Sequence, residues 1–229
     1  MKTFIIYNSV YEKSKRIAKE CLKSFEGFSS WEPELHDGCT SSILEEYDEK
    51  YNVRTGPKTK KYSTDKLTLS KKSCFYSHYE VWLKCIDLDE PIAVVEHDTE
   101  CIGELNIPDN FDMNRALGIQ LTTDSMLSSL PHYKKNKMIN EINLTKNGKG
   151  IHDVFYVHPH GKKYFAGGTG YILTPEACKI IVDWCEKNGW TQNDLLFDDQ
   201  LIDLQYIHPS PIEYVRSKEL NSSAGLTNL

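Results

Sequence analysis

Residues 92–95 read Ile-Ala-Val-Val and stop abruptly at Glu96, His97 and Asp98. A short run that is continuously apolar, rather than alternating, predicts a strand buried on both faces of a largely parallel sheet. The stretch before it supports that reading. Cys74, His78, Val81, Trp82 and Cys85 fall on one helical face, Ser70 stands where an N-cap would, and Asp87 to Pro91 end the helix before the strand opens. A helix feeding a strand of this kind commits the chain to an α/β architecture. Acidic residues at the carboxyl end of such a strand lie where open α/β sheets bind ligands.

The rest of the chain is read around this block. Thr3 to Tyr7 predicts a strand, followed by a helix whose face is Ile17, Ala18, Cys21, Leu22 and Phe25. The next forty residues are polar and rich in turn formers, and read as loop apart from a short helix near 43–51. Further strands are expected at 115–121, 154–157 and 165–173. Thr174 as cap, Pro175 in the first turn, a stripe of Ala177, Ile181, Trp184 and Cys185, and Gly189 as stop mark another helix. With no repeat or linker, a single domain is expected over 1–220, with a flexible tail at 221–229.

Composition narrows the function classes. In 229 residues, 39% are hydrophobic and 26% charged, which excludes disorder, and a chain of this length needs no disulfide or structural metal to hold a core. Seven cysteines without a C-x-x-C pair fit reduced thiols. No run approaches a membrane span, and the N-terminal apolar stretch is too short for a signal peptide, so a cytoplasmic location is expected. The net charge of −6 argues against a globally basic nucleic-acid binder. Locally the balance reverses: Arg54, Lys58, Lys60, Lys61, Lys66, Lys71 and Lys72 stand against Asp65, and a second basic run spans about 132–150, followed by Lys162 and Lys163. These runs read either as solvated loops or as a field for a phosphate-bearing substrate or polyanion.

Glu96 and Asp98 can jointly approach a hard divalent cation such as Mg²⁺ or Mn²⁺, with substrate phosphate oxygens completing its shell. Alternation along an extended chain would turn His97 to the other side. His97 could otherwise ligate a softer metal or bond a phosphate. His78, on the buried stripe, reads as a core histidine. His152, His158 and His160 lie in a segment resembling a hairpin turn rather than a zinc site. Gly167, Gly168 and Gly170 are no dinucleotide fingerprint; a strand or tight turn where a sugar approaches the backbone is the alternative, with Tyr171 stacking on a sugar or packing.

Cys74, Ser77, His78 and Trp82, followed by Pro91, Glu96 and Asp98, resemble the pattern G-C-x-x-S-H-x-x-x-W then P-x-x-x-x-E-D-D of family 25 glycosyltransferases, the lipooligosaccharide and collagen galactosyltransferase group. The opening strand with Arg16 in the next helix, the Asp37-Gly38 turn and the Gly167 to Ile181 block are also similar to that family. Ser73 stands for its usual Gly, and His97 for the middle acid of the triplet. The resemblance implies an α/β, GT-A-like single domain with a mixed, mostly parallel sheet flanked by helices. It implies transfer of a sugar from a nucleotide-sugar donor to an acceptor hydroxyl, inverting and assisted by Mn²⁺ or Mg²⁺. Donor contacts would come from Asn8, Arg16, Asp37, Gly38, Glu96 and Tyr171, metal ligands from Asp98, Glu96 and His208, and the base from Asp199 or Asp198. The acceptor it implies is a bacterial surface glycan. The basic runs also admit DNA carrying hydroxymethylated bases, and His97 admits an inactive sugar-nucleotide or glycan-binding relative.

Overall fold

Strands β1 (Lys2–Tyr7) and β3 (Ile92–Glu96) lie side by side in parallel, with Ile6 opposite Glu96. The computed structural model describes residues 1–53, 66–129, 137–155, 162–165 and 167–215. On the far side of β1 lies β2 (Glu32–Asp37), also parallel, with Tyr7 opposite Asp37. Its six residues, expected as loop, form an edge strand in which only His36 is fully buried, so they carry neither the apolar run nor the alternation that betrays an inner strand.

The other strands are β4 (Thr99–Cys101), β5 (Leu117–Gln120), β6 (Gly150–Asp153), β7 (Gly170–Leu173), β8 (Asp203–His208) and β9 (Ile212–Tyr214). Seven of them make one sheet in the order β2-β1-β3-β7-β5-β8-β6, and β4 pairs with β9 apart from it. Strands β2, β1, β3, β5 and β8 run one way and β7 and β6 run the other, which is the mixed, mostly parallel sheet expected. Strand β6 precedes the expected 154–157, and β5 and β7 are shorter than expected.

Helices α1 (Glu12–Ser24), α2 (Leu44–Tyr51), α3 (Lys66–Leu88), α4 (Thr123–Ser129), α5 (Lys137–Asn147) and α6 (Pro175–Asn188) flank the sheet. Helix α3 already runs from Lys66, so Ser70 lies within it rather than capping it. Thr174 caps α6 as expected, accepting from Ala177 N at 3.3 Å, while Gly189 follows at φ 88°.

Both faces of the sheet are covered, which is why Ile92 to Val95 of β3 are all apolar and buried. Phe4, Ile6, Val94, Tyr171 and Leu173 join Phe75, Tyr76 and Trp82 of α3 and Ile181 of α6 in one core layer. Ile5, Ala93, Val95 and Ile119 pack in the other with Cys21 of α1, Phe25 and Trp31. Each large side chain so buried contributes about 1.5–3 kcal/mol of transfer free energy.

Of the basic runs, 54–65 and 130–136 lie outside the described residues, as do His158, His160 and the tail. In the described part of the first run, Lys72 pairs with Asp48 at 2.5 Å. No helix among the described residues is long and apolar enough to cross a membrane.

Candidate active site

The parallel register brings the carboxyl ends of β2, β1 and β3 level, so Asp37, Tyr7 and Glu96 emerge together at one sheet edge. A cleft opens there, lined by Asn8, Cys39, Thr40, Cys74, His78 and Glu96 among others. Asn8 is buried and fixed: its N–H donates to Ser14 Oγ at 2.9 Å, and its Oδ1 accepts from Val10 N at 3.1 Å. Asp37 does not face the cleft freely, because its carboxylate accepts from both the N–H and the hydroxyl of Ser9 and so ties the turn after β1.

Gly38 N donates to Tyr7 O at 2.7 Å and packs onto α3. Ser77 of α3 completes this wall. Its Oγ accepts from Cys39 N at 2.8 Å and donates to Ser73 O at 2.9 Å. Asp37 and Gly38 thus shape the cleft through its backbone.

Behind Glu96 lies a buried polar cluster. His78 Nδ1 meets the Tyr171 hydroxyl at 2.6 Å, and the same oxygen accepts from Trp82 Nε1 at 3.0 Å. Tyr171 is 0% exposed, so it neither stacks on a sugar nor contacts a donor; it orients the histidine, and burial raises its pKa. Gly170 likewise serves packing, because a Cβ there would lie 2.6 Å from Thr122 Cγ2. His78 Nε2 faces Glu96 Oε1 at 3.5 Å without a hydrogen-bond partner. Cys74, one helical turn earlier, receives Asn193 Nδ2 on its sulfur at 3.4 Å. Burial pushes the Cys74 thiol up, with Glu96 and Asp194 adding to it.

Asp194, in the short 3₁₀ turn Asn193–Leu195, lines a cavity with Lys162, Trp184 and Asp198, next to Asn193, which meets Cys74. Burial raises its carboxyl above the ordinary range. Asn193 and Asp194 escaped the reading of the sequence, in which only the Asp198-Asp199 pair stood out. The i, i+4 spacing of Cys74 and His78 was the signal that could have grouped those two as a site.

The other expected residues lie elsewhere. Extended alternation stops at Glu96, and residues 97–98 turn into β4. Asp98 and His97 therefore line a different cavity, together with Arg16 and Cys21. Burial lifts Asp98 to about 8, with Glu96 contributing, and lowers His97. Arg16 reaches Glu20 at 3.5 Å. His208 is not brought to Glu96: its Nδ1 faces Asp124 Oδ1 at 3.0 Å, and it lines a cavity with Ile102 and Lys149. Asp198 pairs with Lys162 at 2.8 Å, and exposed Asp199 accepts from Lys163 N at 3.2 Å.

No curated protein sequence is detectably similar to the chain. Among solved structures, the galactosyltransferase LgtC in complex with donor and acceptor sugar analogs shares 8% identity, covering 95% of this chain and 88% of that one at a TM-score of 0.49. An active-site mutant of LgtC gives the same identity and coverage at 0.48. Mouse xyloside xylosyltransferase 1 shares 14% identity over 88% of this chain and 66% of that one, at 0.33. Residues 2–197 match the family described as glycosyltransferase family 25 (LPS biosynthesis protein). The strand-end acidic block and the serine-histidine helix behind it thus belong to a match spanning most of the sequence, and the chain belongs to glycosyltransferase family 25.

Proposed function

We propose that the chain transfers a sugar from a nucleotide-sugar donor to a hydroxyl of a surface glycan, with inversion. The observation that carries this reading is the convergence of three strand ends, at Asn8, Cys39 and Glu96, on one cleft. The donor would lie across those strand ends, where open α/β sheets take ligands. The bond from C1 of the sugar to the diphosphate breaks as the acceptor oxygen bonds C1, and the acceptor proton passes to a carboxylate. Asp194 is the base in this reading. Its raised pKa suits proton uptake, whereas Asp198 is held by Lys162 and Asp199 by the Lys163 amide.

A divalent cation, when bound, neutralises charge on the leaving nucleotide diphosphate. Mn²⁺ or Mg²⁺ would meet Glu96 at the cleft; Asp98 opens on the neighbouring cavity with Arg16 and His208 meets Asp124, so neither joins it there. The glycan acceptor rests on the family's description as LPS biosynthesis proteins.

Incubation with a panel of UDP- and GDP-sugars and Mn²⁺ tests the reading. Slow release of free nucleotide, lost in Glu96→Gln, is expected. A folded protein that binds a sugar nucleotide but never hydrolyses it would instead be a recognition module. Retention on DNA at low salt would favour a nucleic-acid acceptor, drawing on the seven basic residues between 54 and 72.

A further inference from the structure

We propose that Cys74 Sγ, His78 Nε2 and the Glu96 carboxylate form a site for a borderline divalent cation, with Zn²⁺ as the ion best matched to this donor set. These three potential ligand atoms lie within 4.8 Å of one another. Tetrahedral zinc bonds of about 2.0–2.3 Å hold ligand atoms roughly 3.3–3.8 Å apart, a spacing that His78 Nε2 and Glu96 Oε1 already have at 3.5 Å, and a side-chain shift of up to about 1 Å closes the set.

His78 is an independent witness. The ring is 1% exposed, and Nε2, aimed at Glu96 Oε1 3.5 Å away, has no hydrogen-bond partner. A buried ring nitrogen left in that state costs free energy unless something occupies the gap. Ligation through Nε2 requires the ring proton on Nδ1, and there the Tyr171 oxygen accepts it at 2.6 Å. That oxygen has a second lone pair for Trp82 Nε1 at 3.0 Å. Metal-bound imidazoles are usually held in this way through the opposite nitrogen. Asn193 Nδ2, 3.4 Å from the sulfur, does the same for Cys74.

Cys74 and His78 stand one turn apart on α3 and so project together, while Glu96 meets them from the end of β3. A thiolate, an imidazole and a carboxylate select zinc-like ions; Mg²⁺ prefers oxygen ligands alone. The three residues also line the cleft beside Asn8 and Thr40, from which a further ligand could come. This inference uses the cleft of the proposed function but does not depend on sugar transfer.

Chelator-treated full-length protein is titrated with Co²⁺ and then Zn²⁺. One equivalent of Co²⁺ per chain is expected, with a thiolate-to-cobalt charge-transfer band that Zn²⁺ abolishes. Cys74→Ser should lose the band and weaken Zn²⁺ binding by at least about tenfold, since removing even an outer partner of a ligand costs that much. Cys39→Ser and Asp98→Asn should keep both. The parent's spectrum, together with mapping of Zn²⁺ protection of Cys74 against alkylation, reads the site even if a variant fails to fold. Absence of the band, unchanged binding by Cys74→Ser, or loss of binding in Asp98→Asn alone would overturn the proposal. The nucleotide-release assay is read separately, so zinc can fail while sugar transfer stands.

Discussion

A β-carbon on Gly38 would sit 2.6 Å from Ser77 Oγ, so the turn after β2 and the middle of α3 meet with no space for a side chain. Gly38→Ala should therefore destabilise the fold by about 1–3 kcal/mol through overpacking. Ser77→Ala should cost about 1–3 kcal/mol by stranding the Cys39 amide, which now donates to Ser77 Oγ at 2.8 Å. Because the two changes share one contact, the double variant should lose less than their sum. Urea unfolding of the four proteins checks this, and strict additivity would break the link.

The Tyr171 hydroxyl serves two buried partners, His78 Nδ1 and Trp82 Nε1. Tyr171→Phe keeps the ring but leaves the indole N–H without its acceptor, at an expected cost of about 1–3 kcal/mol. A loss below about 0.5 kcal/mol in chemical denaturation would show that the hydroxyl does not hold this cluster.

Asp194→Asn should lower turnover by about 10²–10⁴-fold, the usual reach of a positioned base, with the fold intact by circular dichroism. Asp198→Asn and Asp199→Asn should be milder. The parent's rate should also fall with acidity at a higher pH than for an ordinary carboxylate, because burial raises the Asp194 pKa. Equal losses in all three variants would remove Asp194 from the role of base.

His36 is driven down to about 4, first by burial and then by Lys84, whose Nζ stands 3.1 Å from Nδ1. The unfolded chain takes up this proton near pH 6.5 while the folded chain resists it until about 4. Stability from this group is thus complete above pH 6.5 and is lost progressively as pH falls toward 4. His36→Gln should flatten the fall by up to about 3 kcal/mol, read as the difference between urea midpoints at pH 7.5 and 4.5 for roughly matched ionic strength. Parallel curves for parent and variant would exclude His36 as the sensor.

Local pattern made much of the architecture legible. The run at 92–95, buried on both faces, and the Thr174-Pro175 start of α6 are short-range signals, because apolar continuity and capping act over a few neighbours. Strand β2 was not legible, since an edge strand with one fully buried residue carries almost no hydrophobic pattern. The acidic residues divided in the same way. Glu96 follows directly from its strand, but its neighbour Asp98 turns away because extended geometry ends between them.

The sequence by itself determined the α/β class, the family and the strand end where chemistry gathers, since these rest on periodicity and on motifs within single segments. Tertiary structure alone decided which side chains meet. It set Tyr171 behind His78, brought Asn193 to Cys74 across a long stretch of chain, and sent His208 to Asp124. Such meetings follow from strand order and helix packing, and no spacing along the chain encodes them.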